Sequence, residues 1–337
     1  NKERLAASSS QAYGGAPNTT TNPIPSYIVA NTKWNNSNTL DLPFKRVLGS
    51  YGYFGGARNP AKTTIERIDF SNDLATATIR SYMTYASLNK GATGNFNFGY
   101  FSGGYSPTVS SIERIDYSND LSNLNPRSIL TLARGGLSGT GNSNFGYFGG
   151  GFIGSSTLQM RSIIDRIDYL NDTTSTLRRG QISLERRESG AAGNLDFGYF
   201  AGGNFATPNP QSIVDRLSYS NDTTKTLVRG PLLSASSQSS GVGNLQFGYF
   251  NVGPTMNRID YSNDTQIASA RGQLTTSPPR PTSISNLNYG WYCGLLGSSN
   301  TQVNRIDFSN DLATASVRGP LAAGGYGACM TTNARSS

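Results

Sequence analysis

The 337-residue sequence contains no histidine. Its absence removes the commonest general base and metal ligand, and with them Ser-His-Asp, Cys-His and histidine-zinc chemistry. Carboxylates and two thiols remain as reactive groups. Asp69, Asp116, Asp168, Asp260 and Asp307 recur in one wording, Arg-Ile-Asp before Phe or Tyr, each two residues after an arginine. Glycoside hydrolysis needs two carboxyl groups in unlike roles across one cleft. The sequence offers like ones, so each Arg and Asp pair reads as an ion pair on one strand face, scaffold and not site. The Asn-Asp that follows carries too few oxygens for the six to eight ligands calcium takes. It reads as a turn in which Asn and Asp side chains bond their own backbone. Glycine pairs such as Gly103-Gly104 follow a strand but precede no helix, which makes a phosphate cradle a weak reading. No enzyme, cofactor or metal site is expected.

These residues sit in a repeat. An aromatic strand, FGYFSG at Phe98, FGYFGG at Phe145, FGYFAG at Phe197, recurs as YGYFGG at Tyr51, FGYFNV at Phe247 and YGWYCG at Tyr289. Each copy is followed by the arginine wording, at Arg67, Arg114, Arg166, Arg216, Arg258 and Arg305, spaced 47, 52, 50, 42 and 47 residues apart. A unit of this size cannot bury its own hydrophobic face, so the fold belongs to the array. Within the unit from Ser189 to Gly230, four runs of strand length are separated by turn residues. They are SGAAGN, FGYFAGG, SIVDRLSYS and TTKTLVRGPLL, which predict strands a, b, c and d of an antiparallel sheet. Alternation puts Phe197 and Tyr199 on one face of strand b and Gly198 and Phe200 on the other. The glycine lets a neighbouring sheet come close. Ile167 and Tyr169 share one face of strand c, Arg166 and Asp168 the other.

Six such sheets predict an all-β, six-bladed propeller over residues 45–337, preceded by an extended N-terminal arm, residues 1–44. The arm opens with Ser, Thr, Asn, Gly and Pro and has little apolar content to offset the entropy of ordering it. ACMTTN at Ala328 aligns with strand a and would complete the first blade, removing an exposed edge. The rival for that position is KRVLGS at Lys45. Cys293 and Cys329 then fall in neighbouring blades, either as a disulfide fastening the ring or as two small buried residues.

Composition narrows the partners. Charged residues are only 14% and Gly is 39 of 337, which suits short strands and tight turns. The net charge of +8 permits contact with anionic polymers, but the arginines recur singly and form no basic stripe, so nucleic acid is not expected. No apolar run reaches the roughly 20 residues of a membrane span, and no signal peptide is read at Asn1.

The repeats differ most between strands b and c. ARNPAKTT, YSPTVSS, GFIGSSTLQMRS and NFATPNPQS follow the glycine pairs, whereas the a–b and c–d turns hardly vary. Diversity on one face of a rigid scaffold points to binding. The candidate residues there are Arg58, Tyr105, Phe152, Arg161, Asn204 and Phe205, a mixture of aromatic platforms with amide and guanidinium donors.

The order of small-residue strand, aromatic strand ending in GG, Ile/Tyr strand and turn resembles the kelch repeat. The wording FGYFGG, RIDYSND, RG is similar to kelch-like repeats in structural proteins of marine tailed phages, especially those of cyanobacteria. The resemblance implies a non-enzymatic virion protein on the particle surface, part of a larger assembly. It would be docked to other virion proteins by its N-terminal arm and would present the variable loops to a host glycan or protein. A purely architectural subunit is the alternative, and a carbohydrate-active propeller a third.

Overall fold

The computed structural model describes residues 33–34, 40–41, 51–57, 62–154, 158–205, 209–277, 280–295, 301–325 and 327–332. The chain divides into two compact units, Asn1–Leu48 and Gly49–Ser337. In the first, Lys33–Trp34 pairs antiparallel with Leu40–Asp41. The second is a six-bladed β-propeller of four-stranded antiparallel sheets.

Blade 2 shows the pattern. Strand a, Gly91–Gly94, turns through Asn95, whose Oδ1 accepts the N–H groups of Asn97 and Phe98. Strand b is Phe98–Ser102 and strand c Ser111–Asp116. Asp116 accepts from the Ser118 N–H and so caps a 3-10 turn, Tyr117–Asn119, before strand d, Asn125–Ile129. The a–b and c–d turns therefore lie on one face of the ring, and the b–c loops and d–a connections on the other. The ring is closed from the C-terminus: Cys329–Thr332 is strand a of blade 1, paired antiparallel with Tyr51–Ala57. KRVLGS lies outside the described residues. Cys293 and Cys329 are buried free thiols, not a disulfide.

The aromatic strand is explained by its two neighbours. Its first ring carries the guanidinium of its own blade's arginine, as Arg114 over Phe98 at 4.0 Å and Arg166 over Phe145 at 4.1 Å. A Cβ on Gly99 would lie 2.3 Å from Thr331 in blade 1, and one on Gly146 2.4 Å from Thr93 in blade 2; only glycine admits the neighbouring inner strand. The tyrosine faces the next blade and stacks there, Tyr100 on Tyr169 with ring centroids 5.1 Å apart. The last aromatic, such as Phe101 or Phe148, is fully buried and contributes about 1.5–3 kcal/mol.

The arginines do not pair with the aspartates two residues on, as the sequence suggested. Asp69, Asp116, Asp260 and Asp307 each accept from a serine N–H and hydroxyl in their own turn. The arginine reaches instead to the aspartate of the next blade's Asn-Asp. Asp172 binds Tyr100 Oη, Arg114 and Arg127, all of blade 2; Asp222 binds Tyr147, Arg166 and Arg179 of blade 3. Strand alternation was right, but the ion partner lies one blade away. The RG glycines serve the same junction: a Cβ on Gly180 would lie 2.0 Å from the carbonyl oxygen of Thr224 in the next blade.

A second buried polar position precedes each strand-c arginine. Glu66, Glu113, Asp165, Asp215, Asn257 and Asn304 are all at most 1% exposed. Each accepts backbone N–H groups of the connection entering its blade, as Glu66 does from Ala322, Ala323 and Gly324. This position fixes the loops that form the candidate site.

Candidate functional site

The d–a connections descend into the inner strands around the central channel. At its mouth each blade supplies one residue at an equivalent place: Gly327, Asn89, Gly136, Glu188, Gln238 and Arg280 line the same cavity of about 120 Å³. A chain of backbone hydrogen bonds runs round this mouth. Gly327 N–H donates to Arg280 O, Asn89 to Gly327, Gly136 to Asn89, Glu188 to Gly136 and Ser239 to Glu188, over 2.8–3.2 Å. The geometry requires left-handed backbone at Gly136 and Gly327, and also at Asn89 (φ 53°) and Glu188 (φ 60°). Glutamate in that region is strained and is held there by its surroundings.

Four of these six places carry side chains, Asn89, Glu188, Gln238 and Arg280, and the four are chemically unlike, which is what a recognition site needs. Asn89 Nδ2 donates to Glu188 Oε2 at 3.1 Å. Arg187 Nη1 lies 3.6 Å from the same oxygen, and Arg280 Nε 3.7 Å from Oε1. The Glu188 side chain is only 9% exposed, yet its Oε1 and the Asn89 Oδ1 have no hydrogen-bond partner among the described residues. Two acceptors and a guanidinium therefore meet at one opening, an arrangement that suits a ligand bearing hydroxyl or amide groups. Below them Lys90 is buried and donates from Nζ to Gly103 O at 3.1 Å. Burial lowers its pKa, against the opposing charge of Glu113, which burial in turn raises.

Of the residues expected from sequence, Arg58 lies outside the described residues. Tyr105 is half-buried and packs on Phe152, centroids 5.1 Å apart. Phe152 is 1% exposed, so it is not the open platform expected of it. It begins a small hairpin, Phe152–Ile153 with Gln159–Met160. Its ring fills the space beside Gly136, under the Arg187 guanidinium at 5.2 Å. Asn204 is also buried; its Nδ2 donates to Ser237 O. Arg161 is held by Met160 O and Gln159 Oε1 of its own hairpin. Phe205 alone presents an exposed ring, 37% accessible.

Tyr105 and Phe152 thus support the mouth through Arg187 and Gly136. Arg161 and Phe205 are not brought to it. Sequence reasoning missed Asn89, Glu188 and Arg280 because the mouth position has no shared residue type. Only alignment of the repeats on the residue just before strand a brings them together.

Among the described residues no helix is long and apolar enough to cross a membrane, and no group of three Cys, Asp or Glu is placed to hold a metal ion. No protein-family model and no curated protein sequence matches the chain. It is similar to a solved structure titled "Structure of YjhT", with a TM-score of 0.62 at 9% identity over 80% of this chain and 98% of that one. At that identity the likeness shows the shared propeller fold and nothing more.

Proposed function

We propose that the protein is a non-enzymatic structural component of a tailed-phage virion. In this reading the N-terminal segment holds the propeller to other virion proteins on the particle surface, and the loop face binds a host glycan or protein. One observation carries the binding part: repeats that share their strand and junction residues differ in chemistry at the channel mouth, where Asn89, Glu188, Gln238 and Arg280 face one cavity. A left-handed glutamate whose buried Oε1 accepts no hydrogen bond among the described residues supports this reading, since ring stability alone has no evident use for it. The virion part is supported by the wording of the repeats.

Electron microscopy of particles from the source, labelled with an antibody against residues 50–337, tests the location. Label on head or tail surface is the expected result; unlabelled particles would remove the virion and leave a propeller with a binding mouth. A glycan array probed with the full chain tests the ligand. Binding that falls at least tenfold in Glu188→Gln is expected, and a bound glycan indifferent to both Glu188→Gln and Arg280→Gln would place recognition elsewhere. Label on particles with no ligand bound would favour the architectural subunit.

A further inference from the structure

Round the mouth, the backbone chain passes from Arg280 through Gly327 to Asn89, and from Asn89 through Gly136 to Glu188. Asn89, Glu188 and Arg280 therefore stand on alternate blades, 2, 4 and 6. Glu188 nevertheless meets both of the others, through Oε2 to Asn89 Nδ2 at 3.1 Å and through Oε1 to Arg280 Nε at 3.7 Å. Side chains of blades that are not neighbours meet only by reaching past the blade between them, so the three form a polar bar over the opening. A Cβ on Gly327 would lie 2.8 Å from Asn89 Oδ1; glycine there leaves room for the bar.

The bar is incompletely bonded. Asn89 to Glu188 is a hydrogen bond, but 3.7 Å is too long for one between Arg280 and Glu188. Asn89 Oδ1, Glu188 Oε1 and Arg280 Nε are all buried and have no hydrogen-bond partner among the described residues. A buried acceptor calls for a donor, and a buried N–H for an acceptor. Both demands meet in the gap between Oε1 and Nε. A hydroxyl answers both with one atom, donating to the carboxylate and accepting from the guanidinium. An ionised carboxylate, with acceptors only, would serve Arg280 and repel Glu188. An ammonium, with donors only, would serve Glu188 and face both Arg280 and Arg187, whose Nη1 lies 3.6 Å from the same glutamate. Asn89 Oδ1 offers a second acceptor, for a neighbouring hydroxyl.

We infer, on the reading of this mouth as a binding site, that its ligand is a neutral sugar at the end of a glycan chain, which inserts a hydroxyl between Arg280 and Glu188. Because the atoms it must reach are buried, the sugar enters by parting the two side chains. Arg280 is the one that yields, since its side chain is 25% exposed against 9% for Glu188 and side-chain rotation on binding is common. A ring of six segments admits a ligand along its axis, hence by a chain end. The cavity beneath the bar, about 120 Å³ and walled in part by Ser189, Ser239 and Ser283, has room for several water molecules, and so for the hydroxyl-bearing edge of one sugar.

The full chain is probed on an array of glycans ending in neutral, carboxylated, sulfated or amino sugars, and each hit is titrated by calorimetry beside its monodeoxy analogues. Hits with a neutral terminal sugar are expected, at least tenfold weaker when one terminal hydroxyl is replaced by hydrogen. Glu188→Gly and Arg280→Gln should cause the same loss. Glycine stands at this place in blades 1 and 3 and glutamine in blade 5, as Gly327, Gly136 and Gln238, so both variants should keep the parent's thermal transition. The deoxy series is read on the parent chain and stands whether or not a variant folds; affinities within twofold across it overturn the inference. Hits that share a charged terminus and still need Glu188 and Arg280 overturn the neutral class but leave the mouth a binding site. Hits indifferent to both substitutions remove the mouth as the binding site, and the inference with it. A chain that binds no neutral glycan, or a protein ligand alone, also overturns it.

Discussion

The Tyr53 hydroxyl donates to Asp120 Oδ2 at 3.0 Å across the boundary between blades 1 and 2. Arg67 at 2.9 Å and Arg80 at 2.7 Å close on the same carboxylate. The arrangement recurs at the other junctions, and at the last one Trp291 Nε1 donates to Asp73 at 2.8 Å and joins blade 6 to blade 1.

Asp120→Ala leaves a buried hydroxyl and two guanidinium groups without their acceptor. Breaking a buried pair costs about 3–5 kcal/mol. Because both arginines are roughly a quarter exposed, the lower end, about 3 kcal/mol, is expected. Urea denaturation measures it, and a loss below about 1 kcal/mol would show that stacking and not the carboxylate holds the junction.

Acid should loosen the same junctions. Burial raises the carboxyl pKa of Asp120, Asp172 and Asp222, but hydrogen bonds and charge from their arginines and tyrosines outweigh it, and each lies below its ordinary value. A depressed folded pKa gives stability that is present above the unfolded value, about 3.9, and lost as pH falls through the folded one. The urea midpoint should therefore hold from pH 7 to about 5 and fall steeply below about 4. The contribution of Asp120 is read as the difference between parent and Asp120→Asn, which should narrow on acidification; a difference constant to pH 3 would contradict the assignment.

Both cysteines should be inert in the folded protein. Burial pushes the Cys329 thiol up to about 12 and the Cys293 thiol higher still, and the thiolate is the reactive form. Iodoacetamide at pH 8 should modify neither before unfolding and both in 6 M guanidinium, as read by mass spectrometry. Rapid labelling of native protein at either position would contradict their burial.

A chain ending at Ala328 lacks strand a of blade 1 and exposes one edge of Tyr51–Ala57, where Tyr53 and Phe54 are at most 1% exposed in the closed ring. Such a truncation should remove about 5 kcal/mol or more, comparable with the whole stability of many domains. Calorimetry should show a broadened, lowered transition, with self-association by light scattering. An unchanged sharp transition would mean that the ring does not depend on its latch.

The architecture was legible because its signals are local. Gly99 between aromatics, the Ile115/Tyr117 alternation and Asn-Asp turns each act within a strand or a hairpin. The partners of Arg114 were not legible, since Asp172 lies 58 residues away and the nearer Asp116 satisfies the same pattern. Phe152 was mistaken for a platform because a loop ring in sequence gives no sign that Gly136 leaves room to bury it. Glu188 was invisible for a different reason. What it shares with Asn89, Gly136 and Gln238 is a place at the channel and, for most, a backbone conformation, neither of which a residue type announces.

The closing strand also imposes an order in time. Blade 1 receives its inner strand from Cys329–Thr332, residues made after every other strand of the ring. At roughly 5–20 residues per second of synthesis, the nascent chain holds an unfinished first blade for some tens of seconds while blades 2 to 6 come off the ribosome. Completion of the first blade is thus the last step in closing the ring, and it waits until all six aromatic strands have been made.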